Sequence, residues 1–261
     1  MLRNSSEIIG YTIGANDGRI GRVTDFLFDD DSWLVRWLVI DTGPWLSGRK
    51  VLLPPSVLGH FSAIGDQFSV RLTMQQVKDS PAVDTDLPVS RQSESNTYDY
   101  YGWNPYWNRG LYLGGFTWAG GMTPVPYGEP LGRVAEEAAE EAAEKAKDND
   151  QHLRSAKAVT GYHIHASDGE IGHVADFLVK DADWSIRYLV VDTRNWWPGK
   201  QVLVSPRSIT AIDWSKRLVD LNVARRSVKD SPGYDASIVV DREYENHFNN
   251  YYKDQIPVEL A

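Results

Sequence analysis

Cysteine is absent from all 261 residues, which excludes disulfides, thiolate metal sites and cysteine nucleophiles together. No run of 18 apolar residues occurs, so no membrane-spanning helix is expected. The N-terminus, MLRNSSEIIG, lacks the apolar stretch of a signal peptide, and the expected location is cytoplasmic. Positive charge is scarce: 27 lysines and arginines stand against 36 aspartates and glutamates, a net charge of −9. Such a chain repels a phosphate backbone unless its basic residues cluster, and they do not, so nucleic acid is not expected as a direct partner. There is no G-x-S-x-G, P-loop or dinucleotide fingerprint, and neither a catalytic constellation nor a cofactor is expected.

What is present is an internal repeat. GYTIGANDGRIGRVTDFLF from Gly10 returns as GYHIHASDGEIGHVADFLV from Gly161, without a gap and at a constant offset of 151 (161 − 10). The same offset carries WLVRWLVIDTGPW at Trp33 onto WSIRYLVVDTRNW at Trp184, and VKDSP at Val77 onto VKDSP at Val228. Identity of this kind in an ungapped pairing implies duplication. The expected organisation is a first repeat over residues 1–97, a linker over 98–157 and a second repeat with its own tail over 158–261.

Each copy is expected to consist of short strands joined by tight turns. Asn16-Asp17-Gly18 and Ser167-Asp168-Gly169 tolerate positive φ and predict a hairpin. The strand Trp33 to Asp41 places Trp33, Val35, Trp37 and Val39 on one face and Leu34, Arg36, Leu38 and Ile40 on the other. Both faces are largely apolar, so the strand is expected to be covered on both sides, by a barrel interior and by something packed outside. VLLP, SAI and FSVRL would complete a unit of five or six strands. A short helix capped by Thr73 and stopped by Pro81 would follow, with its counterpart stopped by Pro232.

Taken in order and twice over, the Asp-Gly turn, Ile-Gly-x-Val-x-Asp-Phe-Leu and Arg-(Trp/Tyr)-Leu-Val-(Ile/Val)-Asp-Thr resemble the PRC-barrel family. That family includes the cytoplasmic part of the photosynthetic reaction centre H subunit and the ribosome maturation factor RimM, and the resemblance covers residues 8–81 and 159–232. It implies a mainly β fold with two small barrels in tandem, each ending in a short helix and an aromatic tail. It also implies a β-barrel docking module, not an enzyme. The chain lacks the H subunit's membrane helix and RimM's distinct N-terminal barrel, so neither role carries over by name.

The linker has two parts. Residues 98–127 are rich in aromatics, glycine and proline without helical or strand period, and such density suggests a tail lying on an apolar surface. Tyr100, Tyr101, Trp103 and Trp107 are expected to cover a barrel, in cis or across a dimer. RVAEEAAEEAAEKAK, residues 133–147, predicts a helix whose only stripe is alanine, a solvated spacer more than a coiled-coil seam or a lipid-surface helix.

Among recurrent polar residues, Asp25 and Asp176 fall on an inward face, where an unpaired carboxylate is costly. The expected partners are Arg36 and Arg187, as ion pairs Asp25–Arg36 and Asp176–Arg187. A carboxylate so paired has a lowered pKa, unsuited to proton transfer near neutrality. Asp41-Thr42 and Asp192-Thr193 are expected to bond turn groups at the end of the central strand. His163, His165 and His173 lie on adjoining strands at a spacing that could hold zinc, although surface histidines account for the same letters. The tryptophan loops, Trp45 and Trp196-Trp197, either fold back to plug the barrel end or form an interface, and with Trp103 and Trp107 they are the candidate binding residues.

Three functional classes follow. One is a non-catalytic binding or scaffold protein whose two barrels pair about a pseudo-twofold axis and dock a protein partner or self-associate, for instance as a homodimer. The second is a peripheral partner of a membrane electron-transfer complex, the only form of membrane contact envisaged. The third is a binder of a small ligand or carbohydrate through the tail aromatics.

Overall fold

The structure is a computed structural model, and it describes residues 1–59, 66–81, 89–103, 105–106, 152–193, 200–236, 240 and 242–253. These fall into two units, one formed by Met1–Lys78 with His152–Ala261 and the other by Asp79–Gln151. The linker helix expected over 133–147, along with Trp107, Trp196, Trp197 and the SAI segment, lies outside the described residues.

The first unit is mainly β. In the first copy, β2 (Thr12–Gly14), β3 (Arg19–Asp29), β4 (Val35–Asp41), β5 (Lys50–Leu53) and β6 (Gln67–Ser69) form a sheet in the order β5-β4-β3-β2-β6. In the second copy, β8 (His163–Ala166), β9 (Gly169–Lys180), β10 (Ile186–Asp192), β11 (Gln201–Val204), β12 (Ile209–Asp213), β13 (Leu218–Leu221) and β14 (Gly233–Tyr234) run β12-β13-β8-β9-β10-β11-β14. Each is a barrel-type sheet, and neither closes into a full ring of paired strands among the described residues. Gly21 and Gly172 let β3 and β9 press against their neighbours: a Cβ there would lie 2.1 Å from the Asp41 carbonyl oxygen and 2.0 Å from that of Asp192.

The central strand is buried on both faces, because Val35, Trp37, Leu38, Val39 and Ile40 are all inaccessible, as are Ile186, Tyr188, Leu189, Val190 and Val191. It begins two residues later than the sequence suggests. Trp33 and Trp184 adopt φ values of 55° and 57°, a left-handed conformation that a bulky side chain rarely takes and that ends the strand pattern at Val35 and Ile186. The hairpin turn forms, with the Ala15 amide donating to the Gly18 carbonyl, although none of Asn16, Asp17 and Gly18 adopts a positive φ; in the second copy Gly169 does, at 138°.

After each sheet comes a short helix, α2 (Met74–Asp79) or its copy α5 (Arg225–Asp230). Thr73 caps the first: the Gln76 amide donates to its hydroxyl at 3.2 Å while Gln76 Oε1 accepts from the Thr73 amide at 2.9 Å. Asp17 and Asp168 in the hairpin turns add a tertiary cap by accepting from the Met74 and Arg225 amides at 2.8 and 2.7 Å. The C-terminal stretch expected as an aromatic tail is a helix, α6 (Arg242–Lys253). Its Phe248 sits edge-on to Tyr188 at 4.8 Å and is 1% exposed, so this helix is the outer cover of the second copy's central strand. Burying such a ring stabilises the packing by about 1.5–3 kcal/mol.

In the second unit, α3 (Arg91–Tyr101) corrects the expectation of no helical period, since residues 98–101 are its last turn. The helix starts upstream of the aromatics, where the Ser90 hydroxyl accepts from the Ser93 amide, and stops at Gly102 with φ 66°. The polar first turns set its phase, and Tyr98 is carried onto the buried side while Tyr100 remains exposed.

Candidate functional site

The two copies are joined by reciprocal exchange of a strand. β1 (Leu2–Asn4) pairs antiparallel with β9 of the second copy, Leu2 opposite Lys180 and Asn4 opposite Leu178. Its counterpart β7 (Leu153–Ser155) pairs with β3 of the first copy, Leu153 opposite Asp29 and Ser155 opposite Leu27. Each pair of one ladder maps onto a pair of the other by the offset of 151, Leu2–Lys180 onto Leu153–Asp29 and Asn4–Leu178 onto Ser155–Leu27, so the seam has a pseudo-twofold axis. At its centre Leu34 bridges Ser185, the Val35 amide donates to the Trp184 carbonyl at 2.9 Å, and the Ile186 amide donates to Trp33 at 2.8 Å. These bonds fix the two left-handed tryptophans. Phe28 meets Phe177 at 5.8 Å, and Trp184 packs on Phe26 and Phe68 of the other copy.

The recurrent aspartates belong to this seam, and the expected ion pairs do not form. A register shift after Val23 leaves Asp25 between the stretch of β3 that pairs with β2 and the stretch that pairs with β7. There it accepts from the Ser155 hydroxyl at 2.5 Å and the Lys157 amide at 3.0 Å, both at the start of α4 (Ala156–Val159). Asp176 does the same for α1 (Ser5–Ile8), accepting from the hydroxyls of Ser5 and Ser6 and from the Ser6 amide at 3.2 Å. Helix amides and serine hydroxyls thus supply the donors that arginine was expected to supply. Arg36 instead reaches Asp29 at 3.5 Å, and Arg187 is exposed on β10. Burial acts to raise the pKa of Asp29, but the amide and hydroxyl of Ser32 and the nearby Arg36 outweigh it and leave the carboxyl below its ordinary value. Sequence reasoning misses the exchanged strands, although Leu2-Arg3 and Leu153-Arg154 match at the same offset of 151.

Of the candidate tryptophans, Trp45 lies in a short 3-10 turn and is half-buried, its Nε1–H donating to the Ile20 carbonyl at 2.5 Å. The indole is thus folded back on β3. Trp103 stacks on Tyr101 at 4.1 Å within the second unit. Thr42 and Thr193 each donate a hydroxyl bond of 2.6 Å back across their loops, to Arg49 and Lys200, while Asp41 accepts from the Gly43 amide. His163 lies opposite His173, as the sequence suggests. Its Nδ1 is 2.9 Å from Glu170, His165 is 3.9 Å from Asp220, and no group of three metal-capable residues is found among the described residues.

The seam opens into a cleft of about 950 Å³ between the 30–33 turn of the first copy and β10, β12 and the 205–208 turn of the second. Trp33, Tyr188 and Trp214 line it, together with Arg187, Arg207, Asp31 and Glu245. Each ring has a neighbour: Trp33 stacks on Phe28 at 5.2 Å, Tyr188 meets Phe248 edge-on, and the Arg154 guanidinium lies 4.0 Å from the centre of the Trp214 ring while pairing with Asp30 at 2.8 Å. None of the cleft residues Arg207, Trp214 and Glu245 had been singled out from sequence, since nothing in the repeat brings residues 30–33 beside residue 214.

Residues 2–73 match the PRC-barrel domain family, so the first copy carries that domain, and the match begins with the exchanged strand β1. The chain is also 33% identical over 93 residues to an uncharacterised protein of Deinococcus radiodurans, a match covering 31% of this chain and 33% of that protein. No helix among the described residues is long and apolar enough to cross a membrane.

Proposed function

We propose that this chain is a non-catalytic binding or scaffold protein that docks a protein partner or a second copy of itself. One observation carries the reading. The recurrent aspartates Asp25 and Asp176 cap helices of the opposite repeat and so hold the seam, whereas charges without a partner among the described residues, Arg187, Arg207, Asp31 and Glu245, line an open cleft at that seam. General acid–base chemistry needs titratable groups free to exchange protons in a pocket, and Asp25 and Asp176 are occupied as acceptors of helix amides and serine hydroxyls. The presence of a PRC-barrel domain is compatible with docking. Affinity capture with the full chain, combined with light scattering, tests the reading. The expected result is a protein retained at stoichiometric level or a concentration-dependent dimer. A chain that stays monomeric up to about 100 μM and retains no protein overturns it.

A further inference from the structure

One outer sheet face is built from the same repeat positions in both copies, yet its charge is reversed between them. In the first copy, Thr12 lies opposite Arg22 and Gln67, and Gly14 lies opposite Arg19 and Ser69, so these six residues share one face of β2, β3 and β6. Ile13, Ile20 and Phe68 are buried on the other. Arg19 and Arg22 are exposed, as is Arg71 two residues past Ser69, and none of the three guanidiniums has a partner among the described residues. Arg22 also faces Asp41, and Asp41 faces Lys50, so the carboxylate in that row stands between two cations. Asp17 and Asp66 flank these strands, but Asp17 is held by the Met74 amide and Asp66 bonds the Tyr11 hydroxyl.

The offset of 151 carries this face onto His163, His165, Glu170, His173, Leu218 and Asp220, paired in the same way across β8, β9 and β13. Arg19 becomes Glu170, Ser69 becomes Asp220, Arg22 becomes His173 and Arg71 becomes Asn222. Glu170 lies 2.9 Å from His163 and Asp220 lies 3.9 Å from His165, so with the imidazoles neutral this face is acidic. Of the two cations just before β13, Lys216 is paired with Asp213 at 2.8 Å, which leaves Arg217 at the border. A contact of like with like would set arginine against arginine or carboxylate against carboxylate. The net charge of −9 further opposes any contact that does not join opposite charges.

We propose that the arginine face of the first copy binds the carboxylate face of the second copy on another molecule of this chain, head to tail. The inference rests on the protein-docking reading and names its partner, a second copy. Opposite charge on equivalent faces supplies the orientation of the contact. Because it joins unlike faces, a pair of molecules still exposes one face of each kind, and assembly continues to a ring or a filament.

The test is sedimentation of the full chain at about pH 8, where an ordinary imidazole is neutral, over about 10–200 μM at about 50 mM ionic strength. The expected result is a mass that rises with concentration and returns to that of the monomer in about 0.5 M NaCl, because charges on an exposed face are screened. Arg19→Glu/Arg22→Glu and Glu170→Arg/Asp220→Arg alter side chains that water already reaches. Each double variant alone should self-associate about tenfold or more weakly, and an equimolar mixture of the two should recover association, since each then meets an opposite face. Both variants remain net negative, so bulk attraction does not account for recovery in the mixture. A wild-type chain that stays monomeric, self-association indifferent to salt or to either double variant, or a mixture that stays dissociated would each overturn the proposal. A different protein captured by a monomeric chain would leave the docking reading standing and remove this one.

Discussion

Replacing Asp176 by alanine removes an acceptor that holds the first copy's N-terminal strand and helix to the second copy. In the native seam it accepts from Ser5 and Ser6 hydroxyls, from the Ser6 amide at 3.2 Å and from the Phe177 amide at 2.7 Å. Bonds to a charged acceptor contribute about 1.5–3 kcal/mol each when shielded, but Ser6 is exposed and water can replace its share. Counting the two shielded donors, Ser5 and Phe177, at the low end of that range gives a loss of about 3 kcal/mol. In a unit of this size each kcal/mol moves Tm by about 2–4 °C, so a drop of roughly 6–12 °C is expected by calorimetry. The arginine control decides between the two accounts of this residue: Arg187→Gln should stay within about 0.5 kcal/mol of wild type, because Arg187 is exposed and pairs with nothing described. If Arg187→Gln were as damaging as Asp176→Ala, or if Asp176→Ala cost less than about 0.5 kcal/mol, the helix-capping account of the seam would be refuted. Asp25→Ala should behave like Asp176→Ala, because it removes the bonds from Ser155, Lys157 and Phe26.

Gly21→Ala and Gly172→Ala should each destabilise the fold by about 1–3 kcal/mol or more in urea titration, since backbone and not a flexible side chain meets the new methyl group. An alanine variant of wild-type stability would show that β3 and β4, or β9 and β10, can separate freely. Burial pushes the Tyr234 and Tyr252 hydroxyls up to about 12. The folded state therefore holds these protons after the unfolded chain has lost them, and their contribution, complete below about pH 10, declines as the pH rises from about 10 to about 12. Denaturation midpoints across that window should fall together with tyrosinate absorbance, and a flat profile would contradict the burial.

Much of the architecture is legible from residues alone. The offset of 151 marks two copies, the doubly apolar strand from Trp33 to Asp41 requires cover on both sides, and Thr73 announces the start of a helix. These are local signals, in which a residue's chemistry and spacing act on its own neighbourhood. The partners of Asp25 and Asp176 were not legible, because the donors lie 130 and 171 residues away in the chain. Arg36 is nearer in sequence but is drawn to Asp29 by the turn between β3 and β4.

By itself, the sequence determined that the chain is built twice from a mainly β module and what each module's core must contain. Only the tertiary structure decided that the modules exchange strands. An edge of β3 or β9 left unpaired beyond β2 or β8 presents open backbone groups, and in each case three residues of the other copy's leading strand satisfy it. The same exchange brings the 30–33 turn beside β12 and opens the cleft, a juxtaposition of residues that no spacing along the chain encodes.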